Sequence, residues 1–105
     1  MRDKRRYVLV ETSSRIEDDE KTFSYNLYRE LIRCIGESDY HKVNPRMMKI
    51  VDDTSFVIKS DLKGTGNLIL ALSFIKRLNN KETAFYTIKS SGTIRALLKA
   101  KSSKG

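Results

Sequence analysis

Residues 5–13 read RRYVLVETS, in which a basic pair precedes a run rich in aromatic and β-branched residues. Such a run is typical of a buried strand. A similar run, TAFYTIKS at residues 83–90, stands near the other end of the chain. The sequence therefore predicts one strand close to each end of the domain.

The first helix is predicted from residue 23 to residue 35. Its apolar residues recur every four positions and so share one helical face; they are Phe23, Leu27, Leu31 and Ile35. Gly36 can adopt the left-handed conformation and end this helix. The acidic run at residues 17–20 is interpreted as a solvated lead-in that opposes the positive end of the helix dipole.

Two further strands are predicted at residues 43–53, VNPRMMKIVDD, and 54–61, TSFVIKSD, with Asp52–Asp53 as an acidic turn. Pro45 is expected at the start of its strand or on a sheet edge, because it lacks an N–H group.

Residues 62–80, LKGTGNLILALSFIKRLNN, predict a second helix that begins near residues 64–67 and ends at Asn79–Asn80. Its core stripe comprises Leu68, Ala71, Leu72, Ile75 and Leu78. Leu70 and Phe74 extend the apolar surface beyond that stripe, so the helix is either deeply buried or shared with a protein partner.

A last helix is predicted at residues 91–101, and the element order becomes β-α-β-β-α-β-α. This order indicates one α+β domain over residues 1–105, a ferredoxin-like sandwich of the kind that RNA recognition motifs also use. The helices are expected on one face of the sheet, with a C-terminal helix added. Residues 2–6 are expected to form a basic arm and residues 102–105 a frayed tail.

The charge of the chain points to an acidic partner. Among 105 residues, 21 are Lys or Arg and 13 are Asp or Glu, which gives a net charge of +8. The excess lies in residues 2–6 and after Glu82, beyond which no acidic residue follows. Nucleic acid is the commonest partner of such a domain, although excess Lys can also serve solubility alone.

Catalytic and metal-binding constellations are not evident. Cys34 and His41 are the only residues of their types; Cys34 is expected to be a small buried hydrophobe and His41 a solvated loop residue. No secretory signal and no apolar run of about 18 residues is present. We expect a cytoplasmic protein that neither enters a membrane nor binds a metal or cofactor itself.

Ser90–Thr93 stands where a strand turns into a helix, so its backbone N–H groups are suited to an anion, with Arg95 one turn later. A Ser or Thr N-cap explains the same residues without a ligand. Lys63–Gly66 could also bind phosphate, and a helix-entry turn explains it equally well. The basic-Gly-aromatic signature of an RNA recognition motif is absent, because the corresponding strand reads DDTSFVIK.

Three features together resemble protein component two of archaeal ribonuclease P, a relative of the eukaryotic Pop-five subunit. They are the opening KRRYVLV at residues 4–10, the string SGTIR at residues 91–95 with Lys99 beyond it, and the element order between them. The resemblance covers nearly the whole chain and implies a ribonucleoprotein that removes the 5′ leader from precursor tRNA. In that family the RNA subunit and its Mg²⁺ ions perform the hydrolysis, and the protein supports the RNA.

The resemblance also implies partners, namely ribonuclease P RNA, the barrel-like protein component three and self-association into a 2:2 heterotetramer. Leu70 and Phe74 are then candidates for the protein contact. The expected RNA-binding residues are Arg5, Arg6, Lys89, Ser91, Gly92, Thr93, Arg95 and Lys99. Two alternatives remain open, namely a ferredoxin-like regulatory domain that binds a small anion and a stand-alone nuclease.

Overall fold

A computed structural model of the protein describes residues 4–104. Arg2 of the basic arm and Gly105 of the tail lie outside the described residues. The strands are β1 (Arg5–Thr12), β2 (Arg46–Asp52), β3 (Ser55–Asp61), β4 (Arg77–Leu78), β5 (Lys81–Glu82) and β6 (Phe85–Ser91). The helices are α1 (Glu20–Ile35), α2 (Glu37–Val43), a 3₁₀ turn (Leu62–Gly64), α3 (Thr65–Phe74) and α4 (Ile94–Lys104).

Four strands form an antiparallel sheet in the order β2-β3-β1-β6. The chain therefore places its first and last long strands side by side, with the β2–β3 hairpin on the other flank of β1. This is the strand order of two interleaved βαβ units, so the predicted ferredoxin-like α+β fold is confirmed. β2, whose first residue follows Pro45, is an edge strand, as the proline predicted.

The main core lies between one face of the sheet and helices α1 and α3; we call this the inner face. Alternate residues of β1 and β3 point into it because side chains along a strand alternate between faces. Phe56 packs edge-on between Phe23, at 5.2 Å between ring centroids, and Phe85, at 5.9 Å. The fully buried members of this core are Val8, Val10, Leu27, Leu31, Val43, Phe56, Ile58, Leu68 and Leu72.

The opposite, outer face of the sheet carries α4, the added C-terminal helix, whereas α1 and α3 pack on the inner face as expected. Leu97 of α4 is fully buried against Leu9 and Val57. Ile94 and Ile88 pack around the same cluster. The apolar residues of α4 thus close a second, smaller core, and α4 occupies the surface over β6 and β1. The helix continues to Lys104, through most of the segment expected to fray.

Residues 37–43 form a short helix that the sequence did not predict. Gly36 ends α1 with φ of 92°, and α2 begins directly after it. His41, expected in a loop, is therefore an exposed helical residue, and Val43, expected in a strand, ends the helix. Asn44 adopts the left-handed conformation at φ 51° and turns the chain into β2.

The second predicted helix is four residues shorter than its core stripe suggested. α3 ends at Phe74, and Ile75 is already extended, with ψ of 118°. Ile75 and Leu78 are buried as expected, but Leu78 lies in the small β4–β5 hairpin. Asn79 and Asn80 have φ of 52° and 66° and form its two-residue turn, because Asn tolerates positive φ better than most residues.

Candidate nucleic-acid interface

The two basic ends of the chain meet at one end of the sheet. Tyr7 near the start of β1 pairs with Ser91 at the end of β6. On the other side of β1, Arg5 pairs with Asp61 and the N–H group of Leu62 donates to the carbonyl oxygen of Lys4 at 2.9 Å. Residues that are 84 positions apart in the sequence (7 to 91) thus become strand neighbours.

The turn between β6 and α4, Ser91–Thr93, is an ST turn followed by a helix cap. The Thr93 N–H group donates to Ser91 Oγ, and the Ala96 N–H group donates to Thr93 Oγ1, both at 3.3 Å. The N-cap interpretation of the sequence therefore applies, with Thr93 in the cap position. Gly92 and Thr93 are exposed, so the positive end of the α4 dipole faces outward at this turn.

The cations that follow this turn are exposed. Arg95 and Lys99 are four residues apart on α4 and so lie on the same side of the helix. Lys89 lies on β6 opposite Leu9, beside a bulge in the β1–β6 pairing. Along the chain, Lys89 lies two residues before the Ser91–Thr93 turn and Arg95 lies two residues after it.

Arg5 and Arg6 point to opposite faces of the sheet. Arg5 alternates with Tyr7 and Leu9 on the outer face, whereas Arg6 pairs with buried Ser60 on the inner-face side. The structure therefore groups Arg5 with the Ser91–Thr93 turn and leaves Arg6 on the side of α1 and α3.

Two cations that the sequence did not single out join this region through the strand pairing. Arg46 of β2 pairs with Lys59 of β3, and Lys59 pairs with Tyr7 of β1. Together with the Tyr7–Ser91 pair, they form a row across the outer face, which we call the cross-sheet row (Arg46, Lys59, Tyr7 and Ser91). Lys49 of β2 pairs with Val57 and lies on the same face. Only the register reveals this proximity, because the residues belong to four different strands.

The Lys63–Gly66 segment is explained by packing. A Cβ atom on Gly64 would lie 2.5 Å from the Cα atom of Val43 at the end of α2. Gly64 therefore allows the turn into α3 to approach the α2 backbone. The Thr65 hydroxyl group is 3.1 Å from the Ser60 hydroxyl group at the end of β3. These contacts favour the helix-entry interpretation over a phosphate site.

An exposed apolar surface lies on the helical side of the domain. Leu70 is 54% exposed and Phe74 is 62% exposed, so these residues of α3 are not buried within the chain. Cys34 of α1 is also exposed, which corrects the expectation that it is a buried hydrophobe. Partial desolvation, and to a lesser degree the Glu30 carboxylate, raises the pKa of the Cys34 thiol. A shallow depression between α1 and α3 is lined by Cys34, Ile35, Asp39, Asn67, Leu70, Ala71 and Phe74.

Asp52, in the acidic turn between β2 and β3, has a structural role. Asp52 Oδ1 accepts hydrogen bonds from the Thr54 N–H group and the Ser55 hydroxyl group, at 2.9 and 2.8 Å.

Within residues 4–104, no group of three or more His, Cys, Asp or Glu side chains could hold a metal ion. Over the same residues, none of the helices has the length and apolar character needed to cross a bilayer.

Comparisons with known proteins agree with this architecture. The model of the Rpp14/Pop5 family of ribonuclease P proteins matches residues 6–101. No curated protein sequence matches the chain. A chain in the cryo-EM structure of yeast ribonuclease MRP superposes with a TM-score of 0.63 at 11% identity, over 99% of this chain and 92% of that one. At this identity the likeness concerns the fold. Because the family model covers most of its length, the chain belongs to the Rpp14/Pop5 family, and the resemblance read from its sequence is confirmed at that level.

Proposed function

We propose that this chain is an RNA-binding subunit of ribonuclease P that supports the catalytic RNA in removing the 5′ leader from precursor tRNA. Family membership supports the assignment. The observation that carries the RNA contact is the pairing of Tyr7 with Ser91, which brings the two basic ends of the chain together. A clustered basic field suits a phosphate backbone better than two separate charged tails do.

The proposed contact is electrostatic. Arg5, Arg95 and Lys99 would neutralise phosphates and release counterions, which makes binding strong at low salt and weak at high salt. The exposed turn at Gly92 adds backbone N–H groups and the positive end of the α4 dipole. Since α4 covers Leu9 and Ile88 on the outer face, bases do not stack there as they do on the open sheet of an RNA recognition motif.

In this proposal the chemistry belongs to the RNA subunit and its Mg²⁺ ions, and the chain binds no cofactor. Its role is to offset phosphate repulsion so that the RNA folds and binds precursor tRNA at lower salt and Mg²⁺. A domain with this role needs a positive surface and no nucleophile or general base. We infer a cytoplasmic setting for it.

We also propose that Leu70 and Phe74 contact a protein partner, with the barrel-like component three as the candidate and a 2:2 assembly as the final state. Both side chains are more than half exposed on α3, and an exposed apolar surface is typical of a protein–protein contact. The variant Leu70→Gln/Phe74→Gln should keep the thermal stability of the free chain and weaken binding to component three in a calorimetric titration. Tyr25→Gln, which removes an equally exposed aromatic residue from α1, is the control.

The function is tested by reconstitution. Ribonuclease P RNA and component three are incubated with or without this chain, and cleavage of precursor tRNA is measured across a Mg²⁺ series. We expect the chain to shift activity to lower Mg²⁺ and Arg95→Gln to reduce this shift. Absence of stimulation by the wild-type chain would contradict the proposal, and binding of a small anion without retention on RNA would favour a regulatory domain.

A further inference from the structure

Three cations stand on the outer face over β2 and β3, beside the strands on which α4 packs. Arg46 and Lys49 lie on the edge strand β2, and both are exposed. Lys59 lies on the central strand β3 and is half-buried. Lysine side chains in such positions commonly bury the aliphatic stem and keep the ammonium group in water. α4 packs mainly on β6 and β1, and its Leu97 reaches Val57 of β3, yet Arg46 and Lys49 remain exposed.

The strand register places like charges opposite each other. Arg46 and Lys59 are direct partners in the β2–β3 pairing, and like charges in this position destabilise a sheet. Within the described part of the chain, none of the three cations forms a salt bridge. The Arg46 guanidinium acts electrostatically on the Tyr40 hydroxyl group, but a neutral phenol does not compensate its charge. The folded chain therefore retains a repulsion that a bound anion would relieve.

The size of the cross-sheet row favours a polyanion. Its four residues lie on four adjacent strands, and three strand spacings of about 4.8 Å give a length of roughly 14 Å. One strand of a nucleic-acid duplex advances about 3.4 Å along the axis per phosphate. Tyr7 packs against the Leu97 cluster, so phosphates would meet the ends of the row. These ends are several phosphates apart, and a small anion would meet only one of them.

Most acidic residues on the outer face lie at the end of the sheet away from the row. Glu11 pairs with Ser55, and Ser55 pairs with Asp52, at the end of the sheet away from the row. Asp61, which pairs with Arg5, is the acidic residue nearest to the row on these strands. The outer face is therefore mainly basic at the row, where Asp61 lies two residues from Lys59, and acidic at the opposite end.

Building on the RNA-binding function proposed above, we propose that the RNA backbone does not stop at the Ser91–Thr93 turn. It continues along the cross-sheet row to the β2 edge, where Lys59, Arg46 and Lys49 contact further phosphates. The SGTIR string at residues 91–95 marks one end of this track, and the edge-strand cations mark the other.

The test is a binding titration of the full chain on ribonuclease P RNA at a series of KCl concentrations. The variant Arg46→Gln/Lys59→Gln removes two charges and keeps the aliphatic stems. Lys21→Gln/Lys76→Gln removes the same charge from two exposed cations outside the row and is the matched control. We expect the first variant to lower the slope of log affinity against log salt by about two units, one for each lost phosphate contact. The control should leave the slope unchanged.

The outcomes of the titration distinguish failure of the extended RNA contact from failure of the proposed function. If the wild-type chain does not bind the RNA, the function itself fails. If the wild-type chain binds and Arg95→Gln weakens binding, but the Arg46/Lys59 variant behaves like the control, the extended track alone is overturned. Thermal unfolding completes the test, because removing an opposed pair of like charges should leave the Tm unchanged or raise it. Weaker RNA binding together with a lower Tm would assign the effect to folding and also overturn the track.

Discussion

Gly64 packs directly against the backbone of Val43, and an added Cβ atom would lie 2.5 Å from the Val43 Cα atom. This contact joins the turn into α3 to the end of α2. No rotamer change can relieve the overlap, because the neighbouring atom belongs to the main chain.

Gly64→Ala should therefore lower the free energy of unfolding by about 1–3 kcal/mol, the usual cost of overpacking. Gly66→Ala is the matched control, since Gly66 lies in α3 with no atom within 4 Å of its added Cβ. That variant should be neutral or stabilise the chain by up to about 1 kcal/mol through helix propensity. Urea unfolding of both variants checks the pair, and equal effects would contradict the Gly64–Val43 contact.

The Asn79–Asn80 turn depends on positive φ at both positions. Asn80→Gly should raise the stability slightly, because glycine adopts this conformation without strain and Asn-Gly is the favoured two-residue hairpin turn. Asn80→Val should lower it by roughly 1–2 kcal/mol, the cost of a left-handed conformation for a substituted residue. Thermal unfolding measures the difference. If both variants melted together, the hairpin would not have the turn described here.

Leu97 anchors α4 to the outer face. It is fully buried against Leu9 and Val57, so Leu97→Ala should cost about 2–5 kcal/mol. Leu98→Ala should cost less, because Leu98 is only half-buried. Chemical denaturation of both variants compares the two costs. A small effect at Leu97 would show that α4 does not complete the domain.

Cys34 should react slowly with thiol reagents at neutral pH although it is exposed. Desolvation and the Glu30 carboxylate raise the pKa of the thiol, and a raised pKa lowers the fraction of reactive thiolate at a given pH. The folded chain should therefore react more slowly than the unfolded chain at pH 7, and the two rates should converge as the pH rises above both pKa values. Stopped-flow measurement with a disulfide reagent checks the rates. Equal rates at pH 7 would contradict the raised pKa.

Local patterns predicted most of the fold. The runs at 5–13 and 83–90 became β1 and β6 within a few residues, because consecutive β-branched and aromatic side chains need a sheet to bury them. The four-residue repeat of Phe23, Leu27 and Leu31 likewise identified the buried face of α1. These signals are carried by neighbouring residues and need no knowledge of the rest of the chain.

The secondary-structure predictions that were wrong rested on weak or ambiguous sequence patterns. The helix at residues 37–43 reads ESDYHKV, which is too short and polar to show a helical period. The buried positions of Ile75 and Leu78 fit the stripe of a longer helix, yet the chain leaves the helix at Phe74. The Asn79–Asn80 pair is compatible with a helix end and with a hairpin turn. In the folded chain it forms the hairpin turn, and Leu78 is buried in that hairpin.

For the candidate interface, local sequence patterns were sufficient to predict the positive charge near both ends of the chain, the capped helix start at Ser91–Thr93 and the family. They could not determine which cations become neighbours. That depends on strand register, because a shift by one residue moves every side chain of a strand to the other face. The strand pairings of the folded chain, among them Arg46–Lys59 and Tyr7–Ser91, place Arg5 on the outer face and Arg6 on the inner face. The same pairings add Arg46, Lys49 and Lys59 to the candidate interface.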